Sequence, residues 1–157
     1  MNKEEIKIII KELLGRLSVS HDDILIFEAE EEGTARFLIK TKEPEVLIGH
    51  DGMNLLAINH VVKRIVEKGT GETGGVGFII DVNDYQKNKI EGLRQKAKMM
   101  AERARFFKSS VSLEPMSSYE RMIVHSYLAP FPDLTTESSG MGPGRHVVIK
   151  YQEISGL

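Results

Sequence analysis

The feature that most constrains this fold is a long helical pattern from Asp84 to about Lys108, which divides the chain into two parts. Apolar residues recur along it at spacings of three and four, which places them on one side of a helix. These residues are Ile90, Leu93, Ala97, Met100, Ala104 and Phe107. Because such a stripe must be buried in a globular protein, we expect this helix to join two small modules.

The residues before the long helix predict a module with the order helix, strand, strand, helix, helix, strand. The predicted elements are a helix over about 4–17, strands over 24–30 and 35–40 joined by a turn over 31–34, a short helix over 43–48, a helix over about 53–67, a loop over 69–75 and a strand over 76–82. The first helix is amphipathic, and its apolar side carries Ile6, Ile9, Ile10, Leu13, Leu14 and Leu17. We expect that side to face the core of the module.

A G-x-x-G sequence, Gly49-His50-Asp51-Gly52, separates the two central helices of this module. Two glycines permit a tight turn, and the free N–H groups at the start of the next helix can bind a phosphate. The carboxylate of Asp51 stands where that phosphate would approach, which opposes binding. Alternatively, Asp51 caps the helix that begins near Met53, and the glycines serve only the turn. The sequence leaves both interpretations open.

In the second part of the chain, Arg121 and His125 are separated by three residues and lie on one face of a short predicted helix. Arginine offers a planar fork of donors that suits a phosphate, and histidine adds a further donor and a flat ring. Neither side chain reads a base sequence when it contacts phosphate. The alternative is that the two residues are solvated neighbours on an exposed helix.

The limits of this short helix are also encoded locally. Ser117 and Glu120 form a capping box at its start, and Pro130 ends it. Every fourth residue within it is apolar or aromatic, which predicts core contacts, above all for Ile123. The three residues are Tyr119, Ile123 and Tyr127, and a partly exposed tyrosine can also stack on a base.

Two strands follow this helix, over 135–138 and 146–151, and a glycine-rich segment over 139–145 joins them. Its three glycines predict a mobile loop, because glycine leaves the backbone free to turn. Arg145, at the end of the loop, is placed to supplement Arg121 on the phosphate side. Alternatively, Arg145 is an ordinary solvated charge on a surface hairpin.

The charges are divided unevenly along the chain, although the whole carries only −2. Residues 1–83 hold 10 Lys and Arg against 15 Asp and Glu, whereas residues 84–157 hold 11 against 8. Basic residues form two rows along the long helix, one with Lys87, Arg94, Lys98 and Arg105, the other with Lys89, Lys96 and Arg103. These rows either follow a nucleic-acid backbone or only make the helix soluble.

Composition argues against several classes of protein. The chain has no cysteine, which excludes disulfides, thiolate metal sites and cysteine nucleophiles, and its five histidines lack metal-ligand spacing. No nucleophile, base and orienting group stand at catalytic spacings, so we expect no enzyme, no cofactor and no metal. No apolar run is long enough to span a membrane, and the N-terminus lacks a signal-peptide core, so we expect a cytoplasmic protein.

The segments LEPMSSYER, IVH and TESSGMGPGRHVVI together resemble the R-3-H nucleic-acid-binding domain and, within that group, the Jag family, also called SpoIIIJ-associated protein or KhpB. LIGHDG and the order of elements around it resemble a type II KH domain. The resemblance implies an α+β chain with a KH-like domain over 1–82 and an R-3-H domain over 83–157. The nucleic-acid-binding residues it implies are Arg121, His125 and Arg145, Gly49, His50 and Gly52 of the KH loop, and Arg94, Lys98 and Arg105 of the connecting helix.

The family resemblance also implies a function and partners. It implies a bacterial RNA-binding protein that binds single-stranded RNA or ssDNA without catalysis, acts in post-transcriptional regulation and does not insert into membranes. A second small KH-domain protein is an implied partner, and a homo-oligomer stays open. Family members usually carry a further N-terminal domain, and we expect this chain to lack it. The alternative is a protein-interaction scaffold with residual or lost RNA binding, which Asp51 and the acidic first half favour.

Overall fold

A computed structural model of the chain describes residues 1–28, 34–72 and 77–154. The helices are α1 Lys3–Arg16, α2 Pro44–Ile48, α3 Met53–Thr70, α4 Tyr85–Phe107 and α5 Ser118–Leu128. The strands are β1 Asp23–Glu28, β2 Ala35–Lys40, β3 Phe78–Val82, β4 Val111–Ser112, β5 Leu134–Ser139 and β6 His146–Tyr151. Residues 31–33 of the predicted turn and residues 73–75 of the predicted loop lie outside the described residues.

The chain divides into two compact units, Met1–Lys87 and Asn88–Leu157. The division falls within α4, a few residues after the boundary of 82 and 83 that the sequence predicts. The mixed α+β class is confirmed, and the first unit has the predicted order helix, strand, strand, helix, helix, strand. The KH assignment of this unit stays a prediction.

The first unit is built on a three-stranded sheet in the order β1-β2-β3. β1 and β2 form the predicted antiparallel hairpin, in which Glu28 is paired with Ala35, while β3 runs parallel to β2. Ile6, Ile10 and Leu14 of α1 are buried against this core, as the amphipathic pattern predicts. The prediction that Leu17 faces the core is wrong, because Leu17 follows the last turn of α1 and is 51% exposed.

Helix α3 is longer than its sequence pattern indicates. It continues through Gly69 and Thr70, which the sequence assigns to a loop, and it ends at Gly71 with a positive φ of 72°. The Thr70 hydroxyl donates to the Val66 carbonyl and so satisfies a group of the last turn. The core side of α3 consists of Leu55, Ile58, Val62 and Val66.

A buried ionic cluster fixes the start of α4. The carboxylate of Asp81 is fully buried and accepts hydrogen bonds from the backbone N–H groups of Gln86 and Lys87 in the first turn of α4. It also accepts a 2.7 Å bond from Nη2 of Arg36, which lies 2.6 Å from Asp84 as well. Because every buried polar side-chain atom in the described part of the chain has a partner, this cluster is fully satisfied.

The second unit packs α4 and α5 on a sheet in the order β4-β6-β5, with antiparallel pairing throughout. The predicted stripe of α4 is confirmed at Ala97 and Ala104, which are buried with Ala101. Small side chains allow close approach of this helix to the sheet core. Phe107 departs from the prediction, because it is the last residue of α4 and is 63% exposed.

The predicted capping box of α5 is confirmed, since the Ser117 hydroxyl accepts from the Glu120 N–H and the Glu120 carboxylate accepts from the Ser117 N–H. The side of α5 that faces the core nevertheless differs from the predicted side, on which Ile123 is the main core residue. Val124 and Leu128 are buried, whereas Ile123 is only partly buried. Among the described residues, no helix has both the length and the apolar character needed to cross a membrane.

Candidate functional site

Arg121 lies in the first turns of α5, and among the described residues its guanidinium binds only neutral oxygens. Nη1 donates to the Met116 carbonyl at 2.8 Å, and Nη2 donates to the Ser118 hydroxyl at 3.1 Å. Two carboxylates of the second unit have lysine partners: Glu114 lies 2.9 Å from Lys96, and Glu137 lies 2.8 Å from Lys150. A guanidinium has five N–H donors, so Arg121 retains donors and an unbalanced charge for an incoming anion.

His125 joins α5 to β5 through both of its ring nitrogens. Nδ1 lies 2.6 Å from the Thr136 hydroxyl, and Nε2 lies 2.9 Å from the Ser138 hydroxyl. Burial lowers the pKa of His125, and the charge of Arg121 lowers it further. The ring is therefore neutral at pH 7, with one nitrogen donating and one accepting. Since both nitrogens are occupied, His125 positions the helix that carries Arg121 and does not itself present a donor to a ligand.

The glycine-rich segment between β5 and β6 is braced by hydrogen bonds, whereas the sequence predicts a mobile loop. It contains a single 3-10 turn over Gly142–Gly144. The Gly144 N–H donates to the Met141 carbonyl at 3.3 Å, and the Arg145 N–H donates to the Gly142 carbonyl at 3.2 Å. Nη1 of Arg145 closes the loop with a 2.8 Å bond to the Gly140 carbonyl. Arg145, like Arg121, thus binds a carbonyl oxygen.

The backbone of Met116 connects Arg121 to this loop. Its carbonyl accepts from Nη1 of Arg121, and its N–H donates to the Arg145 carbonyl at 3.2 Å. The two arginines whose guanidiniums bind carbonyl oxygens therefore belong to neighbouring segments of the second unit. A cationic surface with two partly buried guanidiniums is suited to a strand of phosphates.

The basic residues of α4 are in different environments. Arg105 makes a bidentate pair with Asp133, at 2.5 and 3.0 Å, and its guanidinium lies 5.1 Å from the centre of the Phe131 ring. The hydrogen bond that Arg105 donates to Asp133 raises the pKa of Arg105 and lowers the pKa of Asp133. This pair braces the fold and leaves Arg105 little capacity for phosphate. Lys98 is exposed and Arg94 is partly buried.

The G-x-x-G sequence of the first unit forms a tight turn that requires its glycines. Gly49 and Gly52 have φ of 71° and 78°, and a Cβ on Gly49 would lie 2.5 Å from Cγ of Asn54. The alternative in which Asp51 caps α3 is wrong, because α3 begins after Gly52 without a side-chain cap. Asp51 instead lies 3.3 Å from Nε2 of His50, and both side chains project into solvent, with 82% and 94% exposed.

Sequence reasoning did not identify Met116, Thr136 and Ser138 as parts of this site. The two hydroxyl residues had a detectable signal, since positions i and i+2 of the predicted strand lie on one face of a sheet. Met116 had no such signal, because it contributes only backbone groups. In the described part of the chain, no three His, Cys, Asp or Glu side chains are grouped to hold a metal ion.

Comparison with known proteins agrees with this division of the molecule. Residues 91–151 match the R-3-H domain family. The chain is 33% identical to the RNA-binding protein KhpB of Clostridium symbiosum over 127 residues, which are 81% of this chain and 56% of that protein. It is 31% identical to RNA-binding protein KhpB of Bacillus subtilis over 125 residues, 78% of this chain and 59% of that protein. The chain thus spans little more than half the length of these curated relatives.

Proposed function

Because this chain carries an R-3-H domain and is a homologue of the KhpB proteins, we propose that it is a non-catalytic protein that binds single-stranded RNA. Arg121 makes the central phosphate contact, and Arg145 lies beside it. His125 positions α5 through Thr136 and Ser138. The proposal also assigns the protein to the bacterial cytoplasm and to post-transcriptional regulation, because the curated relatives are bacterial and named for RNA binding.

The observation that carries this proposal is the unbalanced charge of Arg121. Burying part of a guanidinium costs solvation free energy, and proteins usually offset that cost with a carboxylate. Arg121 is bonded to a carbonyl and a hydroxyl instead, so the missing anion is supplied from outside. A phosphate accepts two parallel N–H bonds from such a fork.

Lys98 and Arg94 of α4 extend the proposed contacts along the phosphate backbone, while Arg105 is omitted from the set because Asp133 engages it. Gly49, His50 and Gly52 form a second proposed contact region in the first unit, which is proposed as a KH-like domain. The Asp51 carboxylate weakens that region. Contacts to phosphate do not distinguish sequences, so single-stranded DNA is an alternative ligand for the same donors.

Titration of a mixed-sequence RNA oligonucleotide tests the proposal. Arg121→Ala is expected to weaken binding by about 1 to 3 kcal/mol, because one phosphate contact is lost. The slope of the logarithm of the binding constant against the logarithm of the salt concentration is expected to fall by about one unit. Arg64→Ala is the matched control, since Arg64 carries the same charge, is 68% exposed and pairs with Glu67 in the first unit. An Arg121→Ala protein that is folded and binds RNA like the control would contradict the site.

A protein-interaction scaffold is the second candidate, and an apolar surface on α3 favours it. Four large side chains of this helix are exposed by between 43% and 65%, namely Met53, Leu56, Val61 and Ile65. Met53 and Leu56 are three residues apart and lie on one face of the helix, and exposed apolar surface of this kind marks interaction sites in soluble proteins. A second small KH-domain protein or a second copy of this chain is the proposed partner. Light scattering of wild type and Leu56→Lys, alone and mixed with such a protein, decides whether this face mediates assembly.

A further inference from the structure

We propose that Met141 contacts a nucleobase of the bound strand, an inference that rests on the proposed RNA-binding function. Met141 stands in the loop between β5 and β6 and is 90% exposed, the highest value for a large apolar side chain in the described part of the molecule. A methionine left in water gains free energy when another apolar surface covers it. Its thioether also makes favourable contacts with aromatic rings.

The loop holds Met141 away from the protein surface by hydrogen bonds on both sides of it. Arg145 binds the Gly140 carbonyl before Met141, and the Gly144 N–H binds the carbonyl of Met141 itself. Gly140 has a φ of 88°, and a Cβ there would lie 3.0 Å from the Gly144 carbonyl oxygen. This packed turn fixes the backbone at Met141, so little backbone entropy remains to be lost when a ligand covers the side chain.

The surroundings of Met141 identify the ligand as a nucleotide. Arg145 belongs to the same loop, and Arg121 is connected to it through the backbone of Met116. Two further apolar side chains are exposed on α5, the helix that carries Arg121: Tyr119 by 43% and Met122 by 53%. A surface that combines cationic forks with exposed apolar groups matches a single strand, whose phosphates are charged and whose base faces are apolar.

A single tryptophan placed at this position reports the contact directly, because the natural chain contains none. Met141→Trp is mixed with a single-stranded RNA oligonucleotide, and indole emission is recorded. Stacking on a base is expected to quench the emission as binding saturates. Met99→Trp is the matched control, since Met99 of α4 is also exposed, by 59%, and carries no proposed role. Its emission is expected to stay unchanged.

Affinity measurements separate base contact from phosphate contact. Met141→Ala is expected to weaken RNA binding about three- to tenfold without changing the salt dependence, because no charge is removed. Met99→Ala is expected to bind like wild type. An oligonucleotide of the same length with abasic central nucleotides keeps the phosphates, so wild type and Met141→Ala are expected to bind it equally. Thermal melting verifies that each variant is folded.

Each outcome bears on one proposal or on both. If wild type binds RNA and Arg121→Ala weakens binding, but Met141→Ala binds like wild type and Met141→Trp is not quenched, the base contact is wrong and the RNA-binding function stands. If Met141→Ala weakens binding equally for the complete and the abasic strand, the methionine does not contact a base. Failure of wild type to bind either strand at low salt overturns both proposals and favours a protein ligand for this surface.

Discussion

Two arginines, one in each unit, show how the same side chain serves two purposes. Arg36 binds the carboxylates of Asp81 and Asp84 at 2.7 and 2.6 Å, so its charge is neutralised within the fold. Burial lowers the pKa of Arg36, but the bonds to these carboxylates raise it by more. Arg121 binds a carbonyl and a hydroxyl and keeps its charge. The identity of the acceptor therefore distinguishes Arg36, whose charge is paired within the fold, from Arg121, which is proposed to bind an anion.

The two glycine-containing turns differ in the same way. The turn over 49–52 presents His50 and the carboxylate of Asp51 to solvent, whereas the loop over 140–145 presents the apolar Met141 and also contains Arg145. A carboxylate repels a phosphate strand, while a cation and an apolar group attract its two chemical parts. The proposed RNA contacts therefore fall mainly in the second unit, although both units contain turns with glycines.

The largest effect on stability is expected from Arg36→Ala. Removal of the guanidinium leaves the fully buried Asp81 without its cation, which costs about 3 kcal/mol of unfolding free energy. Denaturant unfolding measures this loss, and Arg64→Ala, an exposed pair with Glu67, is expected to change stability by less than about 0.5 kcal/mol. RNA affinity of folded Arg36→Ala is expected to equal that of wild type. Weaker RNA binding by this folded variant would contradict the assignment of Arg36 to the fold alone.

A smaller effect, with a characteristic pH dependence, is expected from His125→Ala. Loss of the bonds to Thr136 and Ser138 costs about 1 to 2 kcal/mol of unfolding free energy near pH 7.5. The folded-state pKa of His125 lies below its ordinary value of 6.5, first because of burial and then because of Arg121. Below about pH 6.5 the unfolded chain therefore binds a proton that the folded protein resists, and the stabilisation by His125 decreases as the pH falls.

The difference in unfolding free energy between wild type and His125→Ala, measured by denaturation from pH 7.5 to 5.5, isolates this histidine. The carboxyl groups of Asp84, Glu120 and Asp133 also have lowered pKa values, but they titrate in both proteins and cancel in the difference. A difference that stays constant, or that grows on acidification, would show that His125 is not held neutral by the fold.

The smallest effect is expected from Asp51→Asn in the first unit. Asparagine tolerates the φ of 51° at this position and removes the negative charge. If RNA passes the G-x-x-G turn, its affinity is expected to rise by less than about fivefold, because the site is exposed and screened. Asp22→Asn removes the same charge elsewhere in the unit and serves as the control. Equal affinities for the two variants would show that RNA does not pass the turn over 49–52.

The sequence determined the local elements of this protein, because their signals are local. The Ser117 and Glu120 capping box fixes the start of α5, periodicity locates α1 and the buried alanines of α4, and alternation predicts the β1 and β2 hairpin. It also placed Arg121 and His125 one helical turn apart, and the segments around them were sufficient to predict an R-3-H domain. Periodicity was less reliable at helix ends, where Leu17 and Phe107 are exposed.

Only the tertiary structure decided which basic side chains pair with a carboxylate. The partners of Arg36 lie 45 and 48 residues away, the partner of Arg105 lies 28 away, and those of His125 lie 11 and 13 away. No local pattern encodes these pairings, since they arise when distant elements pack together. The sequence therefore identified the basic residues as a class, and folding separated Arg105, which a carboxylate neutralises, from Arg121, whose half-buried charge remains available to a phosphate.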